Sequence, residues 1–240
     1  MSIISNTVGY LDDDVHLEAF FAYDDAHEGR RPAVLINHAW GGRDNFVADK
    51  ATKMAELGYV GFAVDMYGKG VLGSSVEENA KLMQPFMEDR KMLRKRIYAA
   101  LNAVKLLPWV DDNKIAAIGF CFGGLCVLDL ARSGADIRGV VSFHGLLAAA
   151  ENISNNQIKA RILALHGHDD PMGPPEQVLA FQNELTKAGA DWQMHIYGNT
   201  MHAFTNPVAN DPSFGTVYQP DADRRSWIAM KNFLDEVFSD

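Results

Sequence analysis

Gly119-Phe120-Cys121-Phe122-Gly123-Gly124 is the stretch that decides how this chain is read. The run before it, Lys114-Ile115-Ala116-Ala117-Ile118, is apolar and strand-like. The run after it, Leu125-Cys126-Val127-Leu128-Asp129-Leu130-Ala131, reads as a helix. Strand, Gly-x-nucleophile-x-Gly and helix, in that order, are the context in which a nucleophile is displayed on a sharp elbow. The turn is strained and the chain on either side of it packs closely, so the positions two before and two after the nucleophile favour residues without a side chain. Gly119 and Gly123 hold those positions, and Cys121 stands where serine is usual. A sulfur at a helix N-terminus meets the positive end of the helix dipole, which favours thiolate. The competing reading is a glycine-rich turn around a buried structural cysteine. The motif is short, and its context has to separate the two.

A cysteine nucleophile needs a base, and the base needs an orienting group. In α/β-hydrolases these follow along the chain as nucleophile, acid and histidine. Downstream of Cys121, Arg161-Ile162-Leu163-Ala164-Leu165-His166 reads as a buried strand and runs into Gly167-His168-Asp169-Asp170-Pro171, a turn signal. Trp192-Gln193-Met194-His195-Ile196-Tyr197 alternates as a strand does and leads to Gly198-Asn199-Thr200-Met201-His202-Ala203-Phe204. A carboxylate and an imidazole therefore each fall on the loop just past a strand. In parallel sheets such loops share the carboxyl edge, where ligands bind.

These residues give the chain a resemblance to the dienelactone hydrolase family, a cysteine-nucleophile branch of the α/β-hydrolase fold, from about Pro32 to the C-terminal helix. The family elbow G-x-C/S-x-G-G matches Gly119 to Gly124. The acid turn G-x-x-D-x-x-x-P matches Gly167-His168-Asp169-Asp170-Pro171-Met172-Gly173-Pro174, with Asp170 as the acid and Asp169 its adjacent rival. The G-x-x-x-H-x-F pattern matches His202 followed by Phe204. The resemblance implies an α/β fold with a mainly parallel twisted sheet covered by helices on both faces. It also implies hydrolysis of a small ester or lactone through Cys121, His202 and Asp170 by way of an acyl-cysteine. The oxyanion is expected to be held by the backbone N–H of Phe122, the residue after the nucleophile, and by that of Ala39, on the loop after the strand Pro32-Ala33-Val34-Leu35-Ile36-Asn37.

Two positions depart from the family. Its best-known members read H-E-x-x-G after that early strand, where the glutamate is thought to help activate the cysteine. Here the stretch is Asn37-His38-Ala39-Trp40-Gly41, with His38 on the glutamate position. Contact of His38 with Cys121, a place in the pocket wall and a hydrogen-bonded structural role all stay open. The prototype's arginine four residues past its histidine, which binds a substrate carboxylate, is replaced here by Asn206, so the dienelactone substrate does not transfer simply. His38, Trp40, His144 and Phe204 are candidate substrate-binding residues.

The rest of the chain bounds the function. Its 240 residues, 48% hydrophobic and 22% charged, suit one globular α/β domain over 1–240. Strand- and helix-like stretches alternate along it. The stretch 66–88 is the least regular, and 66–90 is read as a surface connector or a cap-like insert. A long loop over 205–221 follows His202. Net charge of −9 argues against nucleic acid or an anionic membrane as partner. No opening signal segment and no run of about 18 apolar residues is seen, so a cytoplasmic location is expected. The two cysteines, Cys121 and Cys126, are not spaced as a redox pair, and Cys126 reads as core. No cofactor is expected. His166-Gly167-His168 invites a metal reading, but no spaced ligand set accompanies it, so no metal is expected either. Monomer and homodimer are not distinguished. A non-catalytic binder on the same fold and a redox-sensing thiol are the competing functions, and ester turnover separates both from a hydrolase.

Overall fold

The computed structural model describes residues 2–150 and 157–239. The chain divides into two compact units, Met1–Ile118 and Gly119–Asp240.

In the first unit, β1 (Ile3–Asp12) and β2 (Val15–Asp24) form a hairpin that pairs Ile3 with Asp24 and Asp12 with Val15. Its tight turn takes Asp13 to φ 49°, a left-handed conformation that Asp tolerates better than most residues. β3 (Arg31–Asn37) and β4 (Val60–Val64) pair in parallel, and with β5 (Val110–Phe120) the strand order is β1-β2-β4-β3-β5. Both are almost wholly buried and read as unbroken apolar runs, as strands covered on two faces do. α1 (Asn45–Glu56) starts where the Asp44 carboxylate accepts from the Val47 N–H, and it buries Val47, Ala51, Met54 and Ala55. At Gly61 on β4, a Cβ would meet the Ala51 carbonyl oxygen at 2.1 Å, so helix and strand touch backbone to backbone there.

The stretch read as irregular contains a helix, α2 (Val76–Glu88). Ser75 caps it by accepting from the Glu78 N–H, and the Glu78 carboxylate reaches back to Ser74. Pro85 falls in its last turn, where the missing N–H removes one bond without ending the helix. Only Phe86 of α2 is buried, which is why no apolar period marks it. Asp89 ends α2 and caps α3 (Arg90–Lys105), accepting from Lys91 and Met92. β5 (Val110–Phe120) then carries the chain through the division between the units.

In the second unit, β6 (Gly139–Phe143), β7 (Arg161–Gly167) and β8 (Trp192–Tyr197) run parallel and in order. α4 (Phe122–Arg132) is buried along its whole length. α5 (Pro175–Lys187) links β7 to β8. After β8 the chain forms a small hairpin of β9 (Asn210–Asp211) and β10 (Thr216–Val217), then α6 (Pro220–Ser239). The loop expected over 205–221 is thus partly structured. Buried Arg132 holds Glu184 through Nε and NH2, each at 2.8 Å, and donates to the Leu147 carbonyl at 2.8 Å, fastening α4 to α5 and to the segment after β6. Because β6, β7 and β8 are parallel, the residues just past each one emerge at a common carboxyl edge. No helix among the described residues is long and apolar enough to cross a membrane.

The backbone contact at Gly61 leaves no room for a methyl group without moving α1. Gly61→Ala is expected to cost about 1–3 kcal/mol, read as a lower urea midpoint with an unchanged m-value. A midpoint equal to that of the unmodified chain would refute the close approach.

Candidate active site

Cys121 joins β5 to α4 with φ 56° and ψ −115°, a conformation that residues with side chains rarely adopt. Hydrogen bonds on both sides hold it there. Its N–H donates to the Phe143 carbonyl at 3.1 Å, and its own carbonyl accepts from Gly124 at 2.9 Å. A Cβ on Gly119 would lie 2.0 Å from the Gly123 oxygen, and one on Gly124 would lie 2.6 Å from the Gly145 Cα. The glycines of the elbow are therefore required by backbone-to-backbone approach. Cys121 is partly exposed, whereas Cys126 is buried.

The turn after β7 presents two adjacent carboxylates in different surroundings. Asp169 is exposed, and its N–H donates to the Thr200 carbonyl at 2.9 Å. Asp170 is buried, with Oδ1 accepting from the Met172 N–H and Oδ2 lying 2.8 Å from His202 Nδ1. It is Asp170 that meets the imidazole.

Two glycines let the acid turn and the histidine loop meet. A Cβ on Gly167 would strike the Thr200 carbonyl oxygen at 2.4 Å, and one on Gly215, in the turn of the hairpin, would strike the Pro171 Cγ at 2.2 Å. The hairpin also grips His202 by its main chain. The His202 N–H donates to the Gly215 carbonyl at 2.9 Å, and the His202 carbonyl accepts from Val217 at 3.0 Å.

The charge on His202 follows from its neighbours. Burial alone opposes an imidazolium, but the negative charge of Cys121, the Asp170 hydrogen bond and the further influence of both groups outweigh it and push the pKa up to about 10. His202 is thus cationic at neutral pH, with Asp170 on Nδ1. Its Nε2 is buried and has no hydrogen bond of ordinary geometry, although Cys121 acts on the ring by charge and as a bonding partner.

The four residues expected to line a pocket occupy different settings. His38 is fully buried: Nδ1 donates to the Ala39 carbonyl at 2.6 Å, Nε2 accepts from the Met66 N–H at 3.2 Å, and the ring meets Tyr67 edge to face. Those bonds assign the neutral tautomer protonated on Nδ1, and burial lowers its pKa, which agrees with that form. His38 has the surroundings of a structural histidine. Phe204 is fully buried against the rings of His144 and Tyr197. His144 is buried too, at 2% exposure. Only Trp40 is partly exposed; its carbonyl accepts from the Tyr67 hydroxyl, and Ala39 beside it is also partly exposed. Phe122, at the start of α4, is buried. Sequence reasoning missed Thr200, Thr205 and Gly215. Gly215 registered only as loop punctuation, because a contact with Pro171 across the fold leaves no local trace.

A family model for the dienelactone hydrolase family matches residues 17–238. Among solved structures, a dienelactone hydrolase-like promiscuous phosphotriesterase from metagenomic libraries superposes with a TM-score of 0.94 at 34% identity, covering 99% of this chain and 100% of its own. An uncharacterized protein of Caenorhabditis elegans is 41% identical over 150 residues, which is 61% of this chain and 95% of that protein. A protein of Aquifex aeolicus, provisionally named a carboxymethylenebutenolidase, is 28% identical over 208 residues, 85% of this chain and 87% of its own. With the match running nearly end to end, the chain belongs to the dienelactone hydrolase family and is a hydrolase of the ester- and lactone-cleaving kind.

Proposed function

We propose that the chain hydrolyses a small carboxylic ester or lactone, with Cys121 as nucleophile, His202 as acid and base, and Asp170 as the group that orients the imidazole. The observation that carries this reading is a buried histidine bonded to a carboxylate at 2.8 Å and raised to about 10 partly by the charge of Cys121. A cationic histidine beside a thiolate is a nucleophile already activated before substrate arrives. The sulfur attacks the ester carbonyl, and the oxyanion that forms takes a hydrogen bond from the Phe122 N–H, beside the nucleophile. As the intermediate collapses, His202 gives its proton to the leaving alkoxide, which departs as the alcohol, and the acyl group stays on sulfur. Water then attacks the thioester with neutral His202 taking its proton, releasing the acid and restoring the ion pair. Asp170 supports the charged imidazole throughout.

The acyl group of the substrate is read as uncharged near His202. Asn206 stands where the prototype has arginine, and its Oδ1 is turned onto the Val208 N–H at 3.2 Å, so no cation is offered there.

Turnover of p-nitrophenyl esters and aryl lactones tests the reading. Cys121→Ala and His202→Ala are each expected to lower kcat/KM by roughly 1,000-fold or more while the fold persists. Turnover surviving in Cys121→Ala would sink the cysteine mechanism. A folded wild type inert across the panel would favour the binder reading, and loss of the thiol to peroxide without any ester turnover would favour the sensor.

The pH dependence has a definite sign. The folded pKa of His202 lies above the unfolded value of about 6.5, so the stabilisation from its charge is full below that pH and is lost as pH rises through about 10. For activity, kcat/KM is expected to hold through pH ~8–9 and to fall with an apparent pKa of about 10 as the ion pair is discharged. A fall centred near neutrality would contradict a thiolate–imidazolium pair.

Likeness to the phosphotriesterase over nearly the whole chain supports a second electrophile for the same sulfur. An aryl dialkyl phosphate is expected to be hydrolysed more slowly than aryl esters, with release of phenol and complete dependence on Cys121. Equal rates in wild type and Cys121→Ala would exclude it.

A further inference from the structure

His144 is the first residue past β6, and it adopts φ 38°, a region that a residue with a Cβ enters only when its surroundings demand it. Its N–H is fixed to the Leu165 carbonyl at 2.8 Å. This strained conformation seats the imidazole in a socket made by the histidine loop. Nε2 lies 2.8 Å from the Thr205 hydroxyl, the ring meets His202 at 5.1 Å and 66°, and it meets Phe204 at 5.0 Å and 80°. One side chain thus touches three residues of the four-residue segment 202–205, in surroundings closed to solvent: His144 is 2% exposed and Thr205 1%.

The other restraints on His202 leave one freedom. The hairpin holds its main chain, and Asp170 holds Nδ1. A ring fixed at its base and at one nitrogen can still tilt about the line between them, and that tilt carries Nε2 toward or away from sulfur. The edge-to-face contact with His144 opposes it. A neutral His144 that keeps the ring beside Asp170 and Cys121 holds it against the two groups that favour its charge, whereas a second imidazolium at this distance would repel it. The Thr205 hydroxyl can donate or accept, so it holds His144 in either neutral tautomer.

We propose that His144, locked by Thr205, is a positioning residue that sets the tilt of the His202 imidazole and favours its protonated form. The proposal rests on the reading of Cys121, His202 and Asp170 as the reacting set. The groups bearing on the charge of His202 are Asp170 from the turn after β7, Cys121 from the elbow and His166 from β7, with His144 facing it from the end of β6.

The test combines ester kinetics with an NMR titration of His202 in selectively labelled protein, using Thr205→Val, Thr205→Ser and His144→Leu. Thr205→Val keeps the volume and removes the hydroxyl. It is expected to lower kcat roughly 10- to 100-fold with KM little changed, and to move the His202 titration down by about half a pH unit or more. Thr205→Ser is expected to restore both. His144→Leu is expected to shift the titration further in the same direction. A His202 titration unchanged in both Thr205→Val and a folded His144→Leu overturns the proposal, whatever the kinetics show. Failure of the hydrolase reading would appear separately, as ester turnover that does not need Cys121. The titration does not depend on turnover and decides the positioning role even then.

Discussion

The 2.8 Å hydrogen bond between Asp170 Oδ2 and His202 Nδ1 joins two loops that have no sequence proximity and no continuous secondary structure between them. For that bond to form inside the protein, the turn after β7 and the loop after β8 must approach closely enough to exclude water. The approach is made backbone to backbone at Gly167 against Thr200, and backbone to proline ring at Gly215 against Pro171. Once closed, the pair is too buried to leave the carboxylate unpartnered, because an isolated buried charge would cost far more than the hydrogen bond contributes. Asp170 and His202 therefore hold each other in place, and the loops that carry them inherit that constraint.

The elbow stores its constraint differently. Cys121 has an unfavourable φ, and the bonds that keep it there come from both sides: Phe143 at the end of β6 and the first turn of α4. His144, the residue after Phe143, is also strained. Two neighbouring pieces of strained backbone thus meet at the end of β6, one displaying the thiol and one seated against the histidine ring. Strain at such places is kept because many contacts determine it at once. Loss of one contact would shift geometry at both.

Much of this was legible in the sequence, for a local reason. An elbow must have glycines at fixed offsets, and a turn after a buried strand must show its breaking residues, so Cys121, the Asp169-Asp170 pair and His202 could be read at their positions. The buried strands β3, β4, β6 and β7 were legible because each is an unbroken apolar run. β1 was not. Most of its side chains are exposed, and it carries no apolar period. α2 was hidden by Pro85 and by a nearly unburied surface. Asp169 and Asp170 could not be separated by composition, since only the fold turns one outward and the other toward His202. The roles of Thr205 and Gly215 were invisible for the same reason: their partners, His144 and Pro171, lie about 61 and 44 positions away along the chain, and no local pattern encodes a contact at that distance.

The hairpin after the histidine loop touches His202 through Gly215 and Val217 and reaches Pro171 through Gly215, while Val208, in the lead-in to β9, stands exposed. Attachment and lead-in are therefore separable. A segment that leads into such anchors can change length and sequence without disturbing what they hold, as loops on a rigid scaffold commonly do. The stretch 207–213 is the part of the chain in which new chemical selectivity could arise by insertion or replacement, while His202 stays where Gly215 and Val217 hold it.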